Sequence, residues 1–353
     1  MTRLPTWGLV VALGSVACTE GAIGSGVEAG ATGGEPQTSA SGGGASSGSV
    51  AGGSSADGAG PSTSSASATA TTGSMASAAS SGAASSGGGN TVCDQWKAAR
   101  ADLSEGTWSG SLAGCNAGDV SKKGRDNALS LVNLYRAMVG LPAVGLDAGY
   151  NDAAQACSLM MHANNQLSHF PPKNWKCYSD LGAGAAGKSN IATTPGVQAV
   201  DLYMIDPGNE TTIGHRRWIL SNSLGPIGLG STSGFSCMWV IGGGGDAQKE
   251  FVAWPPPGQV PIEAWNVAFV SLDSTGWTVQ SDSITMSGAK VTVSDGGVDK
   301  PVETVELLPN YGSAAAVRFN PKGWKTQAGH TYDVKVTGAS KPIGYQVEVV
   351  GCP

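Results

Sequence analysis

The chain has 353 residues, enough for two ordinary domains, yet with 54 glycines, 13% charged and 6% aromatic residues it is too dilute to be packed throughout. Twenty-six acidic against 20 basic residues give a net charge of −6, which argues against nucleic acid or an anionic membrane surface as the main partner. No later apolar run is long enough to span a bilayer.

Met1 to Cys18 reads as an export signal, with Arg3 in a short n-region, an apolar stretch from Trp7 to Leu13 and a small-residue end. Val16-Ala17-Cys18 resembles the end of a bacterial lipobox, although Ser15 stands where leucine is usual. Seven cysteines point the same way. If Cys18 carries a lipid, Cys93, Cys115, Cys157, Cys177, Cys237 and Cys352 form an even set suited to an oxidising compartment. The competing reading is free secretion after cleavage behind Ala17.

Residues 19–92 are almost wholly Gly, Ser, Ala and Thr, with Glu28, Glu35 and Asp57 as the only charges after Gly21. Such a segment buries too little apolar area to offset its ordering entropy, so it reads as a disordered linker. A Gly/Ser chain of roughly 70 residues has a root-mean-square reach of about 45 Å, enough to hold a folded head clear of a membrane.

Composition changes at Cys93. A helix is expected over Arg125 to Val139, stopped by Gly140-Leu141-Pro142, and a second opens at Asp147 as N-cap and runs towards Leu167. A third should run from Gly196 or Val197 to Ile205. Strands are expected at Ile227 to Gly230 and Cys237 to Ile241. Beyond Trp254-Pro255-Pro256-Pro257-Gly258 the period becomes two. Runs at 261–272, 277–286, 290–294, 302–308, 315–319, 330–337 and 345–350 alternate, with a hairpin turn at Asp295-Gly296, which reads as an immunoglobulin-like β-sandwich. Trp265, Trp277 and Trp324 offer a carbohydrate platform on paper, but aromatics at strand positions more often fill a core. The layout is therefore a signal (1–18), a linker (19–92), a first domain (93–253) and a sandwich (254–353), in the α+β class.

Five ordered pieces resemble one family: Asn133-Leu134-Tyr135-Arg136, Gly140-Leu141-Pro142 with Leu146-Asp147, Leu167-Ser168-His169, Ser189-Asn190-Ile191 and Gly214-His215-Arg216. They are similar in order and spacing to the CAP superfamily of cysteine-rich secretory, antigen 5 and pathogenesis-related proteins. The resemblance implies an α-β-α sandwich with a cleft holding two histidines, often a metal site, flanked by two acidic residues. His169 and His215 match the histidines. Ser189-Asn190 stands where the family has Glu-Asn, so one acid is missing, and Asp206 falls at the other acidic position with Glu210 as a nearby substitute.

The residues alone allow less. Histidines 46 positions apart are not a local metal motif, and two neutral imidazoles without firm carboxylate support bind a divalent ion such as zinc weakly. His162 reads as a packing histidine. Ser168 and Ser189 suit turn roles better than nucleophilic ones, and Arg216 and Arg217 suit a structural ion pair with Asp201 or Asp206. The six cysteines allow 15 connectivities. The expected set is Cys157 with Cys177, Cys93 with Cys115 and Cys237 with Cys352. The functional expectation is an exported, lipid-anchored protein that binds an extracellular protein, lipid or glycan through the two-histidine cleft. Its rivals are a metal-dependent peptidase or esterase using His169 and His215, and a structural envelope or matrix protein.

Overall fold

A computed structural model describes residues 91–352. The expected export signal, the expected lipidation of Cys18 and nearly all of the expected linker lie outside the described residues. The first described turn is a helix that periodicity does not suggest. In α1 (Val92–Ala99), Thr91 and Asp94 form a reciprocal capping box, and Trp96 buries its ring edge-on against Tyr135.

Of the next five helices, the first, second and fourth match the sequence signals, whereas the third and fifth are not expected from them. α2 (Lys122–Met138) starts one turn earlier than expected and ends at the Gly140 stop. α3 (Ala148–Asn164) is capped by the Asp147 carboxylate accepting from Tyr150 N–H, and α4 (Asp180–Ala186) by Ser179. Next come β1 (Ser189–Ala192), α5 (Gly196–Ile205), α6 (Gly214–Ile219), β2 (Gly228–Ser231) and β3 (Ser236–Trp239). The three strands form an antiparallel sheet in the order β1-β3-β2, with Ile191 opposite Cys237 and Gly230 opposite Cys237.

Alternation along these strands sorts side chains between two helical layers. Ile191 and Cys237 pack with Ala153, Ala154, Cys157, Met160 and Ala186 of α3 and α4. Ala192 and Met238 pack with Leu131, Val132, Tyr135, Val200 and Tyr203 of α2 and α5. The result is an α-β-α sandwich. Close approach of α3 needs glycine at position 230, where an added Cβ would lie 2.1 Å from the Ala154 backbone.

All three expected disulfide pairings are overturned. The bonds are Cys93–Cys352, Cys115–Cys177 and Cys157–Cys237. Burial explains the correction. Cys157 is wholly buried on the face of α3 that meets the sheet, where the equally buried Cys237 stands on β3, whereas Cys115 and Cys177 sit in surface loops. Short separation in sequence favours the wrong partners.

The remaining residues form β4 (Val252–Trp254), β5 (Gly258–Pro261), α7 (Leu272–Thr275), β6 (Trp277–Ser281), β7 (Lys290–Asp295), β8 (Val298–Lys300), β9 (Val302–Glu306), β10 (Ala315–Pro321), β11 (Thr331–Thr337) and β12 (Ile343–Val350). They make two sheets, β4-β6-β10-β9 and β5-β12-β11-β7-β8. The expected strand over 261–272 is instead a 3-10 turn (Ile262–Trp265), a loop and α7, because Pro261 ends β5 and Ser271 caps a new helix. Gly296-Gly297 forms the two-residue hairpin loop between Asp295 and Val298.

Trp265 and Trp277 are core, and Trp324 packs half-buried beside them. Trp265 and Trp277 are buried, and both indole N–H groups donate to one Asp273 oxygen, at 3.1 and 3.2 Å. Trp277 meets Tyr332 of the facing sheet edge-on at 5.8 Å, and Trp324 stacks on Tyr332 at 5.3 Å. β6 is buried on both faces, since its outward Thr278 and Gln280 are covered by the helical half. One buried cluster runs from Leu131 through Trp254 to Val347 without interruption.

Candidate functional site

His169 sits in the loop after α3, Ser189 and Asn190 on β1, and His215 at the second position of α6. These four residues line one small pocket together with Gly214, Trp218, Val240, Ile241 and Tyr311. The space it encloses is about 20 Å³, within about 280 Å³ that counts the open mouth.

Each imidazole is oriented by a different kind of partner. His169 Nδ1 lies 2.8 Å from Ala186 O. A carbonyl only accepts, so Nδ1 carries the proton and Nε2 carries the lone pair. Burial pushes the His169 pKa below the usual imidazole value, and the nearby His215 adds to the depression; the ring is neutral at neutral pH. His215 Nδ1 lies 2.8 Å from an Asp206 oxygen. Asp206 is only 1% exposed and occupies a left-handed backbone position at the C-cap of α5. Its carboxylate also accepts from Asn209 Nδ2 at 3.1 Å and from Arg216 N–H at 3.3 Å. With that carboxylate as acceptor, His215 holds its proton on Nδ1 and meets the pocket with the opposite edge, while Tyr203 packs against its ring at 5.0 Å.

The acidic members expected beside the histidines fare differently. Asp206 lies behind His215 and outside the pocket lining. Glu210 is exposed and accepts from Gly208 N–H at 2.9 Å in its own turn, so it is not brought to the histidines. Ser189 has its hydroxyl buried with no hydrogen-bond partner. Asn190 donates to His215 O at 3.1 Å and fixes the start of α6. Ser168 caps its own loop by accepting from Phe170 N–H. His162 stacks on Phe235 at 5.2 Å as a packing residue.

This donor set does not fit a resident zinc. A zinc site wants three protein ligands, whereas the pocket supplies two imidazoles and a hydroxyl, and the nearby Asp206 carboxylate lies outside the lining and is committed to His215 Nδ1. Among the described residues no group of three or more His, Cys, Asp or Glu side chains is placed to hold a metal ion.

The arginines of the Gly214-His215-Arg216-Arg217 stretch correct the ion-pair expectation. Asp201 is taken by Arg100, in a two-pronged contact at 2.8 and 2.7 Å, and by Tyr135 Oη. Both α6 guanidinium groups are buried and bond carbonyls and hydroxyls instead. Arg216 donates to Met204 O and Ile205 O on one side and to Gly276 O on the other. Arg217 donates to Thr212 O, Leu308 O and Ser313 O. Burial without a paired carboxylate pushes both guanidinium groups down to about 10.

Arg217 thereby holds the 307–314 loop of the sandwich half against α6. Leu308 N–H donates to Thr211 O across the same seam at 3.0 Å. Gly312 adopts φ +71° where an added Cβ would lie 2.4 Å from Arg217 O, so only glycine fits. The loop delivers Tyr311 to the pocket. Neither Trp218 nor Tyr311 is marked out as a site residue by the sequence patterns above. Trp218 sits three positions after His215 and so shares its helix face, a signal that could have found it; Tyr311 lies almost 100 positions away and carries no local signal.

Residues 129–240 match the family model described as the Cysteine-rich secretory protein family, CAP. No curated protein and no solved structure matches the chain closely. Three disulfides fit an exported protein, and no described helix is long and apolar enough to cross a membrane.

Proposed function

We propose that this chain, which carries a CAP domain at residues 129–240, is an exported binding protein that captures an extracellular ligand in the pocket between His169 and His215. One observation carries the reading: both rings are locked from behind through Nδ1, His169 by Ala186 O and His215 by Asp206, so both meet the same pocket in a fixed orientation. Preorganised polar groups in a concave, partly apolar site are what small-ligand recognition requires. A lipid on Cys18 and a linker over 19–92 would hold this head at a distance from the membrane. Mass spectrometry of the mature N-terminus tests that part, and a terminus without diacylglycerol removes the anchor.

The binding reading is tested by following the His169 and His215 imidazole signals in NMR spectra. Soluble saccharides, dipeptides and short-chain lipids are added in turn. At least one class should shift both signals, and replacing both histidines by alanine should abolish that binding. Binding unchanged in the double variant would refute the pocket and favour a structural envelope role. Turnover of a peptide or ester library that His215→Ala abolishes would instead favour a hydrolase.

A further inference from the structure

Resting on the pocket reading, we propose that the site is composite and selects a neutral glycosyl unit, with Tyr311 of the sandwich half as a specificity-determining wall and Ser189 as a polar contact. Tyr311 lies outside the family-matched segment, so the helical half alone does not complete the site.

Three observations support this. First, the pocket is finished from the far half. An added Cβ at Gly214 would lie 3.0 Å from Tyr311 Cδ1, so the ring rests against the start of α6 beside His215. Arg217 holds the loop on either side of it through Leu308 O and Ser313 O, at 2.7 and 3.0 Å. Such a wall is rigid on the scale of ligand binding, because releasing it means stripping a buried guanidinium of its acceptors.

Second, Ser189 is 4% exposed and its hydroxyl has no partner, although it lines the same pocket as the two histidines. A buried hydroxyl left unsatisfied carries an uncompensated desolvation cost. A ligand oxygen or N–H placed in the pocket would recover that cost and explains why a hydroxyl is tolerated there.

Third, the lining fixes the ligand's chemistry. No Lys, Arg, Asp or Glu lines the pocket, so a charged ligand would be desolvated without a counter-charge. Trp218, Tyr311, Val240 and Ile241 supply apolar walls, whereas His169 Nε2 accepts and Ser189 Oγ can donate. Aromatic walls for a ring's C–H faces, with acceptors and a donor for its hydroxyls, are the complement of a saccharide. The enclosed space is only about 20 Å³, so a ring lies across the open mouth and sends a single hydroxyl inward.

The test is titration of the full chain with a panel of neutral methyl glycosides, read by calorimetry and by saturation-transfer NMR. At least one glycoside should bind. Tyr311→Ala should weaken it at least tenfold, and Ser189→Ala about fivefold, with Ser189→Thr retaining most of the affinity. Near-ultraviolet circular dichroism and the melting midpoint show whether each variant is folded, and Tyr311→Phe keeps the wall if the alanine variant is not. Glycoside binding unaffected by both substitutions would overturn the proposal, as would binding that survives loss of both histidines, which places the sugar elsewhere. If histidine-dependent binding is found only for peptides or lipids, the pocket reading stands and the glycosyl assignment falls.

Discussion

The two halves of the described chain bury different kinds of side chain. The helical half hides charge: Arg136, Arg216, Arg217, Asp201 and Asp206 are all buried there. The sandwich half hides aromatic rings, with Trp254, Trp265, Trp277, Phe319 and Tyr332 almost fully enclosed. An apolar core tolerates small changes of shape, but a buried charge demands particular acceptors at particular places. The helical half therefore specifies the geometry of the pocket and of the seam, while the sandwich half supplies bulk and one loop. Gly214–Ile219 is where the two meet, since six residues place His215 at the pocket and Arg216 and Arg217 in the seam.

The largest effect that would test this contrast is loss of the covalent link between the halves. Cys93–Cys352 ties α1 to the end of β12 across 259 positions. A chain-entropy treatment puts its contribution at about 5–6 kcal/mol. Replacing both cysteines by serine should lower the melting midpoint more than substitution of Arg217 or Asp206 does, and separate transitions for the two halves would show that the seam alone does not couple them. A single transition at a lower temperature would show that the arginines do.

Arg217→Ala comes next. It strips acceptors at Thr212, Leu308 and Ser313 of their donor and leaves a cavity, for an expected loss of about 3–5 kcal/mol by chemical denaturation. Because the same side chain positions the Tyr311 loop, ligand affinity should fall with it. An equal loss of stability from Trp277→Ala, with no change in affinity, would sharpen the contrast between bulk and geometry. Equal affinity losses from both substitutions would erase it.

Asp206→Asn is smaller. The carboxylate that accepts from His215 Nδ1 becomes an amide, for about 1.5–3 kcal/mol of lost charge-assisted hydrogen bonding. Its diagnostic is the His215 ring: nitrogen chemical shifts should move from a single Nδ1–H form towards a mixture, with the His169 ring unchanged. A His215 ring still held in one tautomer would mean that Tyr203 packing orients it without Asp206.

What is legible in the sequence divides along the same line. Helices α2, α3 and α5 and most strands are readable because local signals set them: the Asp147 cap, the Gly140 stop and the alternation in β11 and β12. His169, His215 and Asp206 are readable because the family resemblance spaces them. Cysteine parity implies three bonds, but the partners depend on which face of α3 meets β3, and that is decided by packing. The role of Arg216 and Arg217 escapes the sequence for a related reason. A sequence displays carboxylates but not the carbonyls that folding presents, so an ion pair is the natural expectation. Strand β6 misleads in the same way, because Thr278 and Gln280 look like a solvated face and are instead covered by the helical half. Tyr311 is beyond reach, since its place at the pocket depends on a loop docked across the seam.

The smallest effect concerns the pair of histidines and separates burial from pairing. Burial lowers the His169 pKa, so the folded protein holds that ring neutral where the unfolded chain would protonate it. As pH falls through the unfolded value of about 6.5 towards the lower folded value, the unfolded state binds more protons and stability declines. The contribution is fully present above that window and lost within it. His169→Gln keeps a hydrogen-bonding side chain near Ala186 O but cannot titrate. The difference in melting midpoint between wild type and variant should therefore be constant above pH 7 and change as pH falls below about 6.5. Other carboxylates and His162 cancel in that difference as long as the substitution leaves their surroundings intact. A difference flat across the whole range would mean that the ring is hydrated in the folded state, and the pocket would then be wetter than its lining implies.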